Sequence, residues 1–324
     1  MTKDRKKIID VLKNEKEFYL ISHMLPDGDS IGSLLSMGAG LRLIGKKIDM
    51  FTPGHIPRKY EFMIGSGDVR HEDMLEDHNR TVVVLDSSDP DRLGIFKETV
   101  LKSRQIINID HHVTNQRFGH LNLVDPNASA TGELVFHILH DVGVKLNAGI
   151  AEALYVAIST DTGSFKYDNT TPDTHRVVSS LLEYGLSPGA LSQRMFDERP
   201  LSFYILLKEA LASLEMYEER KIAVMTISKD VRERSGATTD DLEGIVNYSR
   251  NIEGVELGIL FYVENENEVK VGFRSKSLDV SVLAGKLNGG GHVRAAGCRQ
   301  YGDFETVKKR VMQESLNMLR ELSA

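Results

Sequence analysis

Asp110-His111-His112 puts a carboxylate and two imidazoles directly behind the apolar run Gln105-Ile106-Ile107-Asn108-Ile109. Such groups bind divalent cations or carry protons, and the run before them places them at the end of a buried strand. Three further segments have the same setting. His23-Met24-Leu25-Pro26-Asp27-Gly28-Asp29 follows Phe18-Tyr19-Leu20-Ile21-Ser22; Asp86 closes Thr81-Val82-Val83-Val84-Leu85; Asp161 ends Ala153-Leu154-Tyr155-Val156-Ala157-Ile158-Ser159-Thr160. An Asp after a strand is often only the N-cap of the next helix, and that explains Asp27, Asp86 or Asp161 taken singly. It explains poorly why all of them accompany a His-His pair.

Oxygen and imidazole donors without thiolate suit Mn²⁺ or Mg²⁺, and also accommodate Co²⁺ or Zn²⁺. His23 and Asp27 are four apart and Asp29 two further, so a tight turn would aim all three into one crevice. One ion does not need so many ligands. Two ions about 3.5–4 Å apart do, with one carboxylate bridging, and such a pair can hold a hydroxide for in-line attack on phosphorus. The remaining histidines have ordinary explanations: His55, His71 and His78 lie in polar surface contexts, and His137 and His140 on a helix.

The elements that must position these groups are legible as alternating patterns. Strands are expected at 18–22, 47–52, 81–86 and 105–110, and helices at 28–44, 131–142, 148–160 and 173–184. This is an α/β pattern, a mainly parallel sheet with helices on both faces. Ligands of such sheets bind outside the carboxyl ends of the strands, the edge where Asp27, Asp29, Asp86 and Asp110 fall. Residues 1–187 therefore read as the metal-binding domain and 188–217 as a helical connector. Residues 218–324 read as a smaller α+β or mixed-sheet domain, with strands at 221–228, 255–264 and 268–275 and helices near 239–250, 279–287 and 303–322.

In that second domain Gly289-Gly290-Gly291-His292 matches neither a Walker loop nor a dinucleotide fingerprint. It offers bare backbone that phosphate can approach, plus an imidazole. Arg274, followed by Ser275 at the end of a strand, suits bidentate phosphate contact. Arg294 serves equally as an exposed helix residue or as a phosphate ligand.

At 324 residues the chain exceeds the ~250 at which single cores stop growing, so two domains are expected. A hydrophobic fraction of 41% and a charged fraction of 27% describe an ordinary globular protein. A net charge of -7 argues against coating long nucleic acid, but not against a small anionic substrate. Divalent ions would offset most of the charge of Asp27, Asp29, Asp86, Asp110 and Asp161. The lone Cys298 excludes an internal disulfide and a cysteine-built zinc site, which fits a reducing cytoplasm. The charged N-terminus lacks an uninterrupted apolar segment and reads as a surface helix. No stretch approaches the ~20 apolar residues of a membrane span.

The motif set resembles the DHH phosphoesterase superfamily. His23-x-x-x-Asp27-x-Asp29 matches its first motif, Asp86 the second, Asp110-His111-His112 the third and Asp161 the fourth. Gly289-Gly290-Gly291-His292-Val293-Arg294-Ala295-Ala296-Gly297 is similar to the glycine-rich motif of the associated DHHA1 domain. The resemblance implies one metal on His23, Asp27 and Asp86, and a second on Asp29, Asp86, His111 and Asp161, with Asp86 bridging. It implies that Asp110 orients an imidazole, that His112 lies nearer the substrate phosphate, and that Arg274 and His292 bind substrate. The glycine-rich motif argues against family II pyrophosphatases, and the compact length against larger exonucleases and membrane-anchored cyclic-dinucleotide phosphodiesterases. The type implied is a stand-alone nano-RNase, Mn²⁺-dependent, acting on short RNA oligonucleotides and 3′-phosphoadenosine 5′-phosphate. A terminal phosphate held by the second domain would limit length, and closure of the two domains would exclude water. A cyclic di-AMP or linear dinucleotide phosphodiesterase is the alternative, and an inactive nucleotide-binding module a weaker one. A homodimer is implied by the resemblance alone.

Overall fold

The computed structural model describes residues 3–71, 78–242 and 244–323. Contacts divide the chain into two units, Met1–Glu198 and Arg199–Ala324, a division that falls inside the segment expected to be a helical connector. Among the described residues no helix is long and apolar enough to cross a membrane.

The strands of the first unit are β1 (Glu17–Ile21), β2 (Lys47–Phe51), β3 (Val69–Arg70), β4 (Thr81–Leu85), β5 (Gln105–Asp110) and β6 (Leu121–Val124). Its helices are α1 (Lys3–Asn14), α2 (Gly28–Leu43), α3 (Lys97–Leu101), α4 (Thr131–Val142), α5 (Ala148–Asp161), α6 (Pro172–Leu182) and α7 (Pro188–Ser192). The strands form one parallel sheet in the order β3-β2-β1-β4-β5-β6. β4 is nearly all β-branched and buried at every position, as a central strand covered on both faces requires. Alternate residues serve opposite faces. Phe18, Leu20, Val83, Leu85, Ile107 and Ile109 enter the large core shared with α2, α4 and α5. Tyr19, Ile21, Val82, Val84 and Ile106 pack under Leu93, Phe96 and Val100.

Strand order reverses between β1 and β4, so the crevice beyond their carboxyl ends is the ligand position of this sheet type. His23 lies two residues past β1, and Asp86 directly past β4. A second constraint comes from helix packing. A Cβ added to Gly32 of α2 would lie 2.4 Å from the Ala153 carbonyl oxygen of α5, and one on Gly28 would lie 2.3 Å from Thr160 Oγ1. Only glycine permits that approach, and it seats the end of α5, with Asp161, against the start of α2, with Asp29.

Asp161 ends α5, the helix expected at 148–160, and so does not share the strand-end setting of the segments it was grouped with; α5 is buried because it packs on α2 and α4 rather than because it pairs in a sheet. Two sequence expectations need correction. β3 and β6 were not expected, being two and four residues long with no continuous apolar run. In the span read as wholly helical, α7 and α8 (Leu201–Ala212) are followed by the strand β7 (Glu215–Tyr217).

The second unit contains β7, β8 (Ile222–Ile227), β9 (Leu257–Asn265), β10 (Glu268–Ser275), β11 (Gly290–His292) and β12 (Ala295–Tyr301). They form a mixed sheet in the order β11-β12-β10-β9-β8-β7, in which only β8 and β9 run parallel. Its helices besides α8 are α9 (Lys229–Ser235), α10 (Ile245–Arg250), α11 (Val280–Lys286) and α12 (Phe304–Ser323). One face packs on α11 and α12, the other on α8 and α10. β11 and β12 were not anticipated, because glycine and alanine carry little strand propensity.

Substituting Gly32→Ala forces the Ala153 carbonyl away and should cost about 1–3 kcal/mol in urea denaturation. Gly189→Ala, whose added Cβ meets nothing within 4 Å, should leave stability unchanged or raised. Equal effects at the two sites would contradict the packing role assigned to Gly32.

Candidate metal centre

His23, Asp27, Asp29, Asp86, His111, His112 and Asp161 converge beyond the carboxyl edge of the first sheet. Three overlapping groups have ligand atoms within 4.8 Å of one another: His23 with Asp27 and Asp86; Asp29 with His111 and Asp161; and Asp86 with His111 and His112. Asp86 joins them. Its Oδ2 is 3.4 Å from His23 Nε2, while its Oδ1 is 3.8 Å from His111 Nε2 and 3.6 Å from His112 Nδ1. Its backbone is left-handed, with φ 58°, a conformation that Asp tolerates better than most residues and that turns the chain out of β4.

Each remaining group has a local reason for its position. Asp27 is indeed the N-cap of α2, its Oδ1 accepting from Ser30 N–H at 3.0 Å, yet the same oxygen lies 3.9 Å from His23 Nε2. Asp29 accepts from the N–H groups of Thr131 at 2.6 Å and Gly132 at 2.8 Å, and from Ser33 Oγ at 3.1 Å. It thereby caps α4 from another helix, because Ala130 at the N-cap has no side-chain acceptor. His111 Nδ1 donates to the Ala128 carbonyl at 3.3 Å, which fixes the tautomer and leaves the Nε2 lone pair facing Asp161 Oδ2 at 3.4 Å. Asp110 is fully buried; one oxygen accepts from His112 Nδ1 at 2.7 Å and the other from Asn115 Nδ2 at 2.5 Å.

The donor set can be tested for a divalent ion on this geometry. Both ring nitrogens of His23 are buried without a hydrogen-bond partner, an arrangement that is costly unless something else binds one of them. The donors are imidazole and carboxylate only, the set suited to Mn²⁺, Mg²⁺, Co²⁺ or Zn²⁺. The residues fit. A fourth grouping, Glu133 with His137 and Asp173, differs, since its buried carboxylate already accepts from the Ser129 and Thr174 hydroxyls.

Electrostatics reflect the crowding. Burial raises Asp29 well above the usual carboxylate range, helped by the charges of Asp86 and Asp161. Burial likewise raises Asp161, to about 7, with His111 opposing and Asp86 and Asp27 adding. For Asp86 burial would do the same, but the imidazoles of His23, His112 and His111 outweigh it and hold the carboxyl low. Burial would lower His112, yet its hydrogen bond to Asp110 and the Asp86 charge lift it to about 9.

Sequence reasoning missed Thr131, whose hydroxyl donates to Asp86 Oδ1 at 2.9 Å while its N–H holds Asp29. It also missed Asn115. A small polar residue opening the expected helix at 131 was the one available signal for Thr131, and none existed for Asn115.

In the second unit, the glycine-rich segment is the hairpin of β11 and β12. A Cβ on Gly289 would lie 2.2 Å from the Gly297 carbonyl oxygen, and one on Gly291 2.5 Å from Ala296 Cα. These two glycines admit the neighbouring strand, whereas Gly290 faces open space. Arg274 and the backbone of His292 both pair with Ala295, in one cross-strand row. The side chain of His292 lies outside the described residues. Ser275 Oγ donates to the Leu278 carbonyl, and so does an Arg294 guanidinium nitrogen at 3.0 Å.

Residues 17–158 match the DHH family, N-terminal domain, and residues 219–319 match the DHHA1 domain. The bifunctional oligoribonuclease and PAP phosphatase NrnA of Thermus thermophilus is 35% identical, over 94% of this chain and 91% of that protein. The chain belongs to the DHH family. The Bacillus subtilis protein of the same name is 29% identical over 86% of this DHH chain and 88% of its own. An exopolyphosphatase-related protein from Bacteroides fragilis superposes with a TM-score of 0.92 at 26% identity, each chain covered to 99%.

Two predictions follow from the geometry of this DHH site. Asp86→Asn keeps a residue that tolerates φ 58° but removes the shared charge, so Mn²⁺ affinity by calorimetry should fall at least about 100-fold with the fold intact. Unchanged affinity would remove Asp86 from the ligand set. The second concerns pH. Asp161 and His112 have raised pKa values in the folded chain, so between pH 5 and 9 the folded state holds more protons than the unfolded. In chelator the melting temperature of the first unit should therefore fall as pH rises through that window. Mn²⁺ competes with those protons, so the gap between melting with and without Mn²⁺ should widen with pH. A gap that narrows from pH 6 to 8 would contradict the assignment.

Proposed function

We propose that this DHH chain is a hydrolase, a phosphoesterase dependent on two divalent ions, with Mn²⁺ the preferred metal. Its substrates are short oligoribonucleotides, cleaved to 5′-mononucleotides, and 3′-phosphoadenosine 5′-phosphate, converted to AMP. The observation that carries this reading is Asp86, whose two oxygens face separate imidazole–carboxylate groups at the reversal point of the sheet. The names of the Thermus and Bacillus relatives support the substrate classes.

His23, Asp27 and Asp86 would hold one ion, and Asp29, Asp86, His111 and Asp161 the other. Bound divalent ions supply a nucleophile from water at neutral pH and neutralise phosphoryl charge. Thr131 and the first N–H groups of α4 keep Asp29 and Asp86 in place. Asp110, itself fixed by Asn115, raises the basicity of His112 and orients its ring. His112, raised by that hydrogen bond, would offer a proton at Nε2 to a phosphoryl oxygen. Arg274 and His292 of the DHHA1 unit are assigned to substrate phosphate, with the Gly290 backbone as an open approach. Ser275 and Arg294 support that loop through the Leu278 carbonyl.

One assay panel in Mn²⁺ tests the reading: 3′-phosphoadenosine 5′-phosphate, di- to penta-ribonucleotides, a long RNA, cyclic di-AMP and pyrophosphate. AMP and 5′-mononucleotides are expected from the first two, with long RNA and pyrophosphate intact. Preference for cyclic di-AMP would make the chain a dinucleotide phosphodiesterase, and turnover of none would end the enzymatic reading.

A further inference from the structure

The loop after Asp161 is unusual in its backbone. Gly163, Ser164 and Phe165 are consecutive left-handed residues, with φ 56°, 60° and 64°. Non-glycine residues are strained in that region and persist there only where surrounding structure holds them. Here the holding contacts are plain. Tyr167 N–H donates to the Thr162 carbonyl at 3.1 Å, Thr170 N–H to the Tyr167 carbonyl at 3.0 Å, and Asn169 Nδ2 to the carbonyls of Ser129 and Asp161. Phe165 turns inward, ring to ring with Tyr155 and His175.

The turn lays the Tyr167 ring flat on Gly163. A Cβ at position 163 would lie 2.3 Å from Tyr167 Cζ and 2.5–2.6 Å from both neighbouring ring carbons, so the ring covers the Cα and only glycine allows it. One face of the ring is thereby occupied by backbone, yet Tyr167 remains 55% exposed. Gly163 is two residues from Asp161, at most about 7 Å between Cα atoms. Tyr167 therefore belongs to the loop that leaves α5 directly after Asp161, a group assigned to the metal centre, and that is tied back to the Asp161 carbonyl. Among the described exposed tyrosines, which include Tyr184, Tyr204, Tyr248 and Tyr301, only Tyr167 lies in a loop bonded to a residue of that centre.

We propose that the exposed face of Tyr167 is the platform on which a nucleobase of the substrate stacks, next to the phosphate being cleaved. This rests on the phosphoesterase reading above. Base–aromatic stacking tolerates any base and is strong enough to set affinity for a one- or two-nucleotide substrate. It selects nucleotides over simple phosphate esters, because a phosphate without a base has nothing to place there.

The test compares the linear dinucleotide pApA with the same dinucleotide bearing an abasic ribose, using wild type, Tyr167→Phe, Tyr167→Leu and Tyr167→Ala in Mn²⁺. For pApA the Leu and Ala variants should raise KM about tenfold at unchanged kcat, while Phe behaves as wild type. For the abasic dinucleotide all four should share one KM. Fluorescence of a 2-aminopurine dinucleotide should be quenched on binding to wild type and Phe, and much less with Leu or Ala. The Leu variant keeps bulk over Gly163, so it separates stacking from support of the turn. An unchanged KM for pApA in Leu and Ala, or an equal rise for the abasic dinucleotide, would overturn the platform. Wild-type inactivity on both dinucleotides would instead overturn the phosphoesterase reading beneath it.

Discussion

Thr131 donates its N–H to Asp29 and its hydroxyl to Asp86, so one residue at the start of α4 joins two buried carboxylates of the centre. Burying two like charges side by side is unfavourable unless each is bonded to donors that cannot retreat. The N-terminus of α4 supplies such donors, together with the positive end of the helix dipole. Asp29 in turn satisfies N–H groups that Ala130 leaves uncapped. The helix needs the carboxylate as much as the carboxylate needs the helix, and that mutual requirement makes the site rigid before anything binds.

The rest of the first unit arranges itself around this junction. α4 reaches Asp29 because Gly32 and Gly28 let α5 close on α2, and α4 packs against both. Asp86 reaches Thr131 because its left-handed backbone turns it out of β4 at the point where the sheet order reverses. Strain at Asp86, crowding of charge and the unsatisfied imidazole of His23 all occur at one place. The charge crowding and the unpartnered imidazole destabilise the metal-free chain and are relieved by a cation, while the backbone strain is the cost of aiming Asp86 at it, so stability has been exchanged for a preformed site.

The glycine-rich hairpin of the second unit illustrates how one residue type serves two purposes. Gly289 and Gly291 are glycines because β12 passes too close for a side chain, whereas Gly290 leaves its backbone open. From sequence these are three equal letters. The distinction depends on which side of each residue the neighbouring strand lies, and strand register is a property of the fold.

The order and identity of His23, Asp27, Asp29, Asp86, Asp110, His111, His112 and Asp161 were legible because chemistry demands particular side chains and because most follow apolar runs that announce a strand end. The α/β layering was legible for the same reason, since burial of a central strand requires a continuous apolar run. Asp161 was grouped with the strand-end carboxylates although it closes the helix expected at 148–160, because the apolar run of a helix buried all round resembles that of a buried strand. Thr131, Asn115 and Tyr167 act through contacts with partners that are close in space, and their residue types are common in roles of no consequence. Sequence alone determined which groups could bind metal. Tertiary packing decided which of them share an ion's reach, because distance between side chains from separate strands is set only when the helices between them have closed.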